Sequence, residues 1–380
     1  MGNVSRANSF VDGINKKLGS RVLFKKDDTG ATSVPRFSSQ ILSLDMALGG
    51  GWPHGRVVLL TGLESTAKTL LALKATESIT NYDHTTKMHK DYVNPERFEP
   101  GIALFVDAEA TFDIDWADKV ANFSNYDHVV ARPETSEEAI DIISSAMEEN
   151  CFDLIILDSL AVLTPQKIIE SSAQDQFMGL NARMNNRALS VWNSRLLKWS
   201  RNRSAPTLMV INQIREKIGV MFGNPETLPG GKQQNYSSSI TVRQGTAKIE
   251  SGEVRENSLG TYRGTIPKNK TATAKQAYTF QMFIADDKFP AGHIDNLSEI
   301  KRQLKRFNLL ESSGGKWSFT DENGTLEASR QKDLIDMIGS DPEVMQRLYR
   351  SILFRETGYH DGKVQLLGQG QAAEAEDAEA

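Results

Sequence analysis

The residues with the clearest capacity for chemistry form one short stretch, Thr-Gly-Leu-Glu-Ser-Thr-Ala-Lys-Thr at positions 61–69. It follows an apolar run at residues 56–60 that predicts a buried strand, and it precedes a Leu- and Ala-rich helix at residues 70–78. A tight loop between a strand and a helix points free backbone N–H groups at an anion. Lys68 would add a positive charge, and Thr69 would add a hydroxyl suited to Mg²⁺. The predicted phosphate-binding residues are Gly62, Leu63, Glu64, Ser65, Thr66, Ala67, Lys68 and Thr69.

One residue departs from the phosphate-binding loop (P-loop) pattern G-x-x-x-x-G-K-[ST]. Ala67 stands where the second glycine belongs. Glycine permits positive φ and close backbone approach, whereas the Cβ of alanine restricts both. The stretch alone therefore leaves two interpretations open, a P-loop or an ordinary strand–helix turn with an incidental Lys-Thr pair.

Three polar residues follow further predicted strands, at residues 102–106, 154–157 and 208–211. Asp158 is placed to hold Mg²⁺ or its water, although an Asp at such a position is also a common helix N-cap. Glu109 can polarise an attacking water near a γ-phosphate, or it can be a solvated loop acid. Gln213 can bond a γ-phosphate and report its presence. Because ligands collect at the carboxyl ends of parallel strands, we expect one site beside the P-loop.

A long predicted loop, residues 214–231, comes directly after Gln213. It contains four glycines, two prolines and two basic residues among exposed-looking apolar groups. A loop of this length in a compact domain is usually functional or disordered. Amides and basic side chains suit phosphates, and apolar side chains can wedge between nucleobases. The loop therefore indicates binding of a single strand of nucleic acid.

The composition indicates a soluble globular chain with room for one large domain and smaller ones. The 380 residues are 39% hydrophobic and 24% charged, with a formal net charge of −5. That balance gives no global nucleic-acid signal, so any basic surface must be local. The single cysteine, Cys151, excludes an internal disulfide framework and suits a reducing compartment. Because no apolar stretch is long enough for a signal peptide or a membrane span, we expect a cytoplasmic location and no membrane partner.

Strand and helix candidates alternate from residue 57 onward, which predicts an α/β fold with a mostly parallel sheet flanked by helices. The other helix candidates are at residues 136–149 and 180–198, and a short strand candidate is at residues 129–130. Residues 81–100 interrupt the alternation, and we expect them to be a surface insertion. We divide the chain into an N-terminal helix and linker at 1–36, a large core at 37–285, a small C-terminal domain at 286–363 and an acidic disordered tail at 364–380.

The N-terminal helix is predicted at residues 9–19. Phe10, Ile14 and Leu18 recur at helical spacing, and Ser9 is the expected N-cap. A short, isolated helix needs a surface to pack on. The sequence leaves open whether that surface belongs to a neighbouring subunit or to the protein's own core.

With these residues in view, the chain resembles the RecA family of homologous-recombination ATPases over residues 38–284. The family's elements stand in order, from Ser-Leu-Asp-Met-Ala-Leu-Gly at 43–49 through the P-loop to Val-Asp-Ala-Glu at 106–109 and Leu-Asp-Ser at 157–159. The most specific is Ile-Asn-Gln-Ile-Arg at 211–215, which runs on to Gly-Gly at 230–231 and is close to diagnostic for the bacterial-type branch. Leu63, Ala67 and the insertion depart from the family pattern and suggest a divergent member, such as a phage or large-virus recombinase.

The resemblance implies a RecA-like ATPase core that binds ATP and Mg²⁺ and forms helical filaments on single-stranded DNA. It further implies pairing of that strand with homologous double-stranded DNA, in recombination, DNA repair and the SOS response to DNA damage. Catalytic roles would fall to Lys68, Glu109 and Gln213, with Thr69 and Asp158 on the metal.

Four further residues match family positions at the nucleotide. Asp113 and Trp116 fall where the family contacts adenine. Lys268 and Lys270 match a Lys-Asn-Lys element that reaches ATP across the subunit interface. Without the family, a solvated basic turn would be the simpler interpretation of these lysines.

The resemblance also implies two DNA-binding loops that face the filament axis. The first, residues 170–176, is less glycine-rich here than in the family, and the second is residues 214–231. The implied DNA-binding residues are Met178, Arg183, Arg215, Lys217, Ile218, Gly230 and Gly231. A basic helix predicted at 298–309 can guide duplex DNA, or it can be a solvated face. The acidic tail can compete with DNA for that face.

Two other functions remain to be separated from strand exchange. A chain that kept the fold but lost turnover would regulate recombinase filaments, and Ala67 motivates that alternative. A hexameric helicase of the same ATPase superfamily is disfavoured by the run at residues 211–231.

Overall fold

The computed structural model describes residues 3–25, 34–171, 179–200, 204–216, 226–231, 233–246, 259–286, 289–321, 324–360 and 363–364. The strands are β1 (Arg36–Phe37), β2 (Trp52–Pro53), β3 (Val57–Gly62), β4 (Ala103–Asp107), β5 (Val129–Ala131), β6 (Leu154–Asp158), β7 (Thr207–Gln213), β8 (Arg215–Glu216), β9 (Glu226–Thr227), β10 (Ile240–Thr246), β11 (Leu259–Asn269), β12 (Gln276–Phe283), β13 (Ile294–Asp295), β14 (Glu311–Ser313), β15 (Lys316–Asp321), β16 (Gly324–Ala328), β17 (Tyr359–His360) and β18 (Lys363–Val364). The α-helices are α1 (Asn3–Leu18), α2 (Leu42–Leu48), α3 (Lys68–Ile79), α4 (Ile114–Ala121), α5 (Ser136–Glu149), α6 (Gln166–Ile169), α7 (Leu180–Ser200), α8 (Gln233–Ser237), α9 (Asn296–Arg306), α10 (Gln331–Ser340) and α11 (Pro342–Thr357).

The central sheet has the described strand order β13-β12-β11-β10-β3-β7-β6-β4-β5. The strands from β10 to β5 are parallel to their neighbours, and β11 to β13 extend the sheet as an antiparallel edge. This topology confirms the predicted α/β class and the mostly parallel sheet. The sequence analysis missed β10 and β11, because these strands mix polar residues and glycines with their apolar positions.

Helices cover both faces of the sheet, and strand side chains alternate between them. Val58 and Leu60 of β3 lie in the core cluster that includes α3 and α4, whereas Val57 and Leu59 lie in the cluster that includes α5 and α7. A strand buried on both faces is apolar throughout. The unbroken apolar run before the P-loop therefore predicted its buried position correctly.

The insertion at residues 81–100 is more deeply packed than the expected surface segment. It forms 3₁₀ turns at Lys90–Tyr92 and Pro95–Arg97. Lys87 is buried and pairs with the buried carboxylate of Asp153 at the start of β6, and His84 Nδ1 lies 2.9 Å from that carboxylate. Burial would raise the pKa of Asp153, but the hydrogen bond from His84 and the charge of Lys87 hold it below the ordinary value. This ion cluster fastens the insertion to the sheet.

The C-terminal helices and the β14–β16 hairpins have an apolar cluster of their own. Its buried members include Ile300, Leu304, Phe319, Leu334, Ile338, Leu348 and Ile352. The carboxylate of Asp45 on α2 joins this region to the large core, because it accepts hydrogen bonds from the hydroxyls of Ser38 and Tyr349, each at 2.7 Å. Burial raises the pKa of Asp45, while these donors oppose the shift. The tail predicted from residue 364 lies, after that residue, outside the described residues.

Helix α1 begins at Asn3, so the expectation that Ser9 caps it is wrong. The Ser9 hydroxyl donates to the carbonyl of Ser5 inside the helix. None of the sixteen residues of α1, all of them described, is buried, and Phe10 is 63% exposed. The apolar side of α1 is therefore uncovered within this protomer. Among the described helices, none is long and apolar enough to cross a membrane.

Candidate nucleotide site

Four parallel strands end at one edge of the sheet and bring the predicted site residues together. Gly62 pairs with Gln213 across β3 and β7, and Asp107 pairs with Asp158 across β4 and β6. A cavity of about 440 Å³ opens at this edge, a volume typical of small-molecule sites. It is lined by Glu64, Ser65, Thr66, Ala67, Lys68, Thr69, Leu70, Glu109, Trp116, Asp158, Ile211, Gln213, Tyr262 and Met282. A larger cleft of about 760 Å³ between the insertion and α11 is lined by none of these described residues, so chemistry rather than volume identifies the site.

The P-loop adopts the conformation of its pattern despite Ala67. Ala67 has φ 65° and ψ 24°, in the left-handed region, directly before α3, and Ser65 also has a positive φ of 56°. Within the described loop no side chain caps α3, which leaves the N–H groups of its first turn for an anion. Gly62 is required by close approach, because a Cβ there would lie 2.5 Å from the Gln244 carbonyl oxygen. The geometry favours the P-loop over an ordinary strand–helix turn.

We expect Ala67→Gly to raise the free energy of unfolding by about 0.5–1 kcal/mol. Left-handed φ costs a residue with a Cβ about 1–2 kcal/mol, and the greater freedom of glycine in the unfolded chain offsets about 0.5–1 kcal/mol of that relief. Thermal or urea denaturation without nucleotide measures the change. The matched control Ala72→Gly, in the same helix, should lower stability by at least about 1 kcal/mol. Lower stability in both variants would show that Ala67 is not strained.

Lys68 is buried at the start of α3. Its ammonium donates to the Leu63 carbonyl at 2.5 Å. Burial lowers the pKa of Lys68, and the neighbouring carboxylates, Asp158 foremost, oppose that shift. A buried ammonium beside the unbonded N–H groups at the start of α3 is suited to bind phosphate oxygens.

Thr69 and Asp158 form the predicted metal pair. The Thr69 hydroxyl donates to Asp158 Oδ2 at 2.7 Å. Burial raises the pKa of Asp158 to about 6, although the hydrogen bond from Thr69 acts in the opposite direction. Mg²⁺ prefers hard oxygen ligands and usually takes one or two carboxylates together with phosphate oxygens and waters. The hydroxyl and carboxylate oxygens of the pair fit that chemistry.

Glu109 is oriented by two donors on one of its oxygens. Its Oε1 accepts from the Ser159 hydroxyl at 2.5 Å and from Gln213 Nε2 at 3.1 Å. Two donors on one oxygen restrict the carboxylate to one orientation, as a general base requires. Ser159 was quoted in the Leu-Asp-Ser motif but assigned no role, and only the fold shows that its hydroxyl meets Glu109.

Part of the cavity lining is apolar or aromatic. Trp116 belongs to it, as expected for a base-contacting residue. Asp113 is not among the residues that line the cavity. Its carboxylate is the N-cap of α4 and accepts the backbone N–H of Trp116 at 2.8 Å. Tyr262 and Met282 also line this cavity and were missed. Tyr262 lies on β11, which was not predicted as a strand.

Lys268 and Lys270 lie toward the ends of the strands that are opposite the P-loop of the same protomer. The end of β11 pairs with Ile240 at the start of β10, whereas the end of β10 lies beside Gly62. Their ammonium groups donate to backbone carbonyls of α8. Several residues of extended strand, at about 3.3 Å each, separate them from Gly62, and their present hydrogen bonds hold the ammonium groups on α8.

Of the described DNA-binding candidates, Arg183 lies on α7, Arg215 on β8, and Gly230 and Gly231 just before α8. Arg183 and Arg215 are exposed. Gly230 and Gly231 have φ of 89° and 92°, and a Cβ on Gly231 would lie 2.6 Å from the side chain of Asn186. The other candidates, Met178, Lys217 and Ile218, lie outside the described residues, as does most of the first predicted loop.

Hydrogen bonds connect the nucleotide cavity to this glycine pair. Asn212, which precedes Gln213 on β7, donates to the Pro229 carbonyl at 2.8 Å and to Gln234 Oε1 at 2.6 Å. Gln234 in turn donates to the Gly231 carbonyl at 2.8 Å. The strand end that contacts Glu109 therefore also holds the end of the second loop.

Comparison with known proteins places this arrangement in a family. The sequence model of the RecA N-terminal domain matches residues 6–287. The chain is 34% identical to Protein RecA of Mesoplasma florum over 83% of this chain and 86% of that protein. It is 32% identical to Protein RecA of Lactococcus lactis subsp. cremoris over 85% of this chain and 77% of that protein. Because the family model matches most of the chain and these relatives are 32–34% identical over most of it, the chain belongs to the RecA family of recombination and repair proteins.

Proposed function

We propose that the protein is an ATP-dependent DNA strand-exchange recombinase, which forms helical filaments on single-stranded DNA and pairs it with homologous duplex DNA. One observation carries the proposal. Glu109, the candidate base for ATP hydrolysis, is bonded to Gln213 on the strand end whose neighbouring Asn212 holds the glycine pair of the second loop. Hydrolysis and DNA binding therefore share one structural element.

The residues of this chain divide the work at ATP. The N–H groups at the start of α3 and the ammonium of Lys68 bind the phosphates. Thr69 and Asp158 would hold Mg²⁺, which would supply positive charge to neutralise the phosphates. Glu109, held by Ser159 and Gln213, orients the attacking water and accepts its proton.

Gln213 couples the nucleotide to DNA. A γ-phosphate offers its amide a second partner in competition with Glu109, so the end of β7 differs between the triphosphate and diphosphate states. Because Asn212 moves with the same strand end, the second loop follows the state of the nucleotide. Hydrolysis then permits release of DNA rather than driving the pairing itself.

Filament growth requires surfaces that a single protomer leaves unsatisfied. We assign residues 1–36 to oligomerisation, because the apolar side of α1 is exposed, with Phe10 63% accessible. Lys268 and Lys270 would contact the ATP of the next protomer, since they lie toward the strand ends away from their own cavity. A ligand held by two protomers stabilises their association by mass action. We keep residues 37–285 as the ATPase core and residues 286–363 as the small C-terminal domain.

Helix α9 is the proposed guide for duplex DNA. Ile300 and Leu304 are buried, so the opposite side of the helix faces solvent. Its bases are Lys301, Arg302, Lys305 and Arg306. Ion pairs of Arg302 with Glu299 and of Arg306 with Glu356, each at 2.7 Å, reduce the local positive field, so this surface would supply weak, non-specific attraction.

ATP turnover measured with and without single-stranded DNA tests the proposed function. We expect DNA to stimulate turnover, and electron microscopy should show helical filaments on DNA in the presence of ATP and Mg²⁺. Filaments without turnover would identify the chain as a regulator of recombinase filaments. Closed rings would identify a helicase-like assembly.

We expect Arg183→Ala combined with Arg215→Ala to weaken single-strand binding. Each arginine that contacts a phosphate releases counterions on binding. Loss of each one should therefore make the negative slope of log affinity against log salt concentration shallower by about 0.7 for a single strand. Fluorescence anisotropy of a labelled oligonucleotide at several salt concentrations measures that slope. The control Lys198→Ala removes a charge from the same helix about 22 Å away and should leave it unchanged. An unaltered slope in the double variant would place the DNA path elsewhere.

A further inference from the structure

A buried asparagine on α7, Asn185, lies beside the end of the second loop. Its side chain is shielded from solvent, with 0% exposure. Neither its amide nitrogen nor its amide oxygen has a hydrogen-bond partner among the described residues. An amide that is removed from water without a partner destabilises the fold, and native proteins retain few such groups. Asn185 therefore gains free energy in any state of the protein that supplies a partner.

The backbone of Gly230 approaches this side chain. A Cβ built on Gly230 would lie 3.1 Å from Asn185 Nδ2 and 3.2 Å from a methyl of Leu160. Leu160 is buried as well, so the amide of Asn185 adjoins an apolar group here rather than water. Gly230 has a φ of 89°, and glycine moves between positive and negative φ at little cost. A small rotation of its backbone therefore suffices to bring a peptide group within hydrogen-bond distance of Asn185.

Other amides hold this part of the loop in the nucleotide-free protomer. Gln234 donates to the carbonyls of Pro229 and Gly231, each at 2.8 Å. Asn212 donates to the same Pro229 carbonyl at 2.8 Å. These bonds hold the two residues that flank the intervening glycine, and Asn185 takes part in none of them.

We propose that Asn185 is a positioning residue, which hydrogen-bonds the backbone of Gly230 when the protein holds both ATP and single-stranded DNA. The inference rests on the proposed function, in which Gln213 responds to the γ-phosphate and shifts the end of β7. Asn212 lies on that strand end, so the shift alters its bond to the Pro229 carbonyl and frees the loop to approach α7. Because the new hydrogen bond forms only in the bound state, it favours that state over the free one.

The substitution Asn185→Leu tests the role, because leucine has the branched shape of asparagine without its polar atoms. We expect the apparent Tm of the nucleotide-free chain to rise by about 1–2 °C, since a desolvated amide is removed. We expect affinity for single-stranded DNA to fall about tenfold with the slowly hydrolysed analogue ATPγS, the equivalent of one hydrogen bond. With ADP the affinity should stay within twofold of wild type. Fluorescence anisotropy of a labelled oligothymidylate, with the full-length chain, measures both affinities.

Two further variants separate this role from a structural one. Asn193→Leu makes the same replacement about 12 Å further along α7 and should leave both affinities unchanged. Asn185→Ala removes the amide without a branched side chain, so it should show the same tenfold loss with ATPγS if leucine crowds the site.

An unchanged ratio of the ATPγS and ADP affinities in both Asn185 variants would overturn the inference, whatever their stability. Equal losses with the two nucleotides would give that unchanged ratio and would mean that Asn185 supports the DNA site in every state. If the wild-type chain bound single-stranded DNA no more tightly with ATPγS than with ADP, the proposed function itself would fall, and the role of Asn185 with it.

Discussion

Substitution of Lys68 by alanine is expected to lower DNA-stimulated ATP turnover by about 10²–10³-fold, the loss typical for one preorganised group that stabilises transition-state charge. Lys68 is the buried cation of the cavity, and its ammonium bonds only to the Leu63 carbonyl and, weakly, to Thr66 Oγ1 among the described residues. That modest set of partners leaves its charge for phosphate. Steady-state phosphate release with saturating single-stranded DNA measures the effect.

The fold should survive this substitution. Burial already disfavours the charge of Lys68 in the nucleotide-free protein, as its lowered pKa indicates, so removing the ammonium relieves a desolvation cost. We therefore expect little change in thermal stability without nucleotide. Lys90→Ala, an exposed lysine in the insertion, should retain wild-type turnover. Full DNA-stimulated turnover in Lys68→Ala would refute the assignment of the P-loop.

The double substitution Lys268→Ala and Lys270→Ala is expected to abolish ATP-dependent filament assembly. It should also lower ATP turnover by about 10²–10³-fold, as expected for Lys68→Ala. Both side chains lie toward the strand ends away from the cavity of their own protomer. We therefore expect them to contribute to ATP turnover in the site of a neighbouring protomer. Binding of ATP to an isolated protomer should be unaffected. Light scattering with ATP and DNA reports assembly, and calorimetry at low protein concentration reports binding.

Mixing the two defective proteins separates a shared site from two independent ones. A Lys68→Ala protomer keeps the lysine pair, and the double variant keeps the P-loop. In a head-to-tail filament of equal parts, about a quarter of the interfaces combine both intact halves. Partial recovery of turnover on mixing is therefore expected. Turnover that stayed at the level of the separate variants, in filaments shown to contain both, would exclude the cross-interface role.

The site residues that the sequence identified share one physical property. Asp158 and Gln213 sit at or just after the ends of buried parallel strands, and Glu109 follows another two residues on, where chain direction alone determines the edge of the sheet. Their meeting follows from strand order, so a local pattern was sufficient to find them. The boundaries of α5 at residues 136–149 were predicted without error for a similar reason, because Thr135 caps its first turn and Asn150 ends it in the left-handed conformation.

Other features depended on register and on contacts between distant segments. Whether Ala67 tolerates a left-handed φ is decided by the fixed ends of β3 and α3, not by its own preference. The insertion became packed because Lys87 meets Asp153, a partner 66 residues away. Tyr262 reaches the cavity only because β11 pairs with β12 in a register that places it opposite Phe280.

The amino-acid sequence by itself predicted the chemistry of this site, a phosphate loop, a metal-binding pair, a base and a sensing amide, since each is encoded within a few residues of a strand end. Tertiary structure decided which groups act on them. The Ser159 hydroxyl and the Gln213 amide donate to Glu109. The Asp113 carboxylate accepts the backbone N–H of Trp116, and Lys268 and Lys270 donate to carbonyls of α8. Local chain geometry places the site residues near strand ends. The contacts between them depend on pairing between distant segments, which no short sequence pattern encodes.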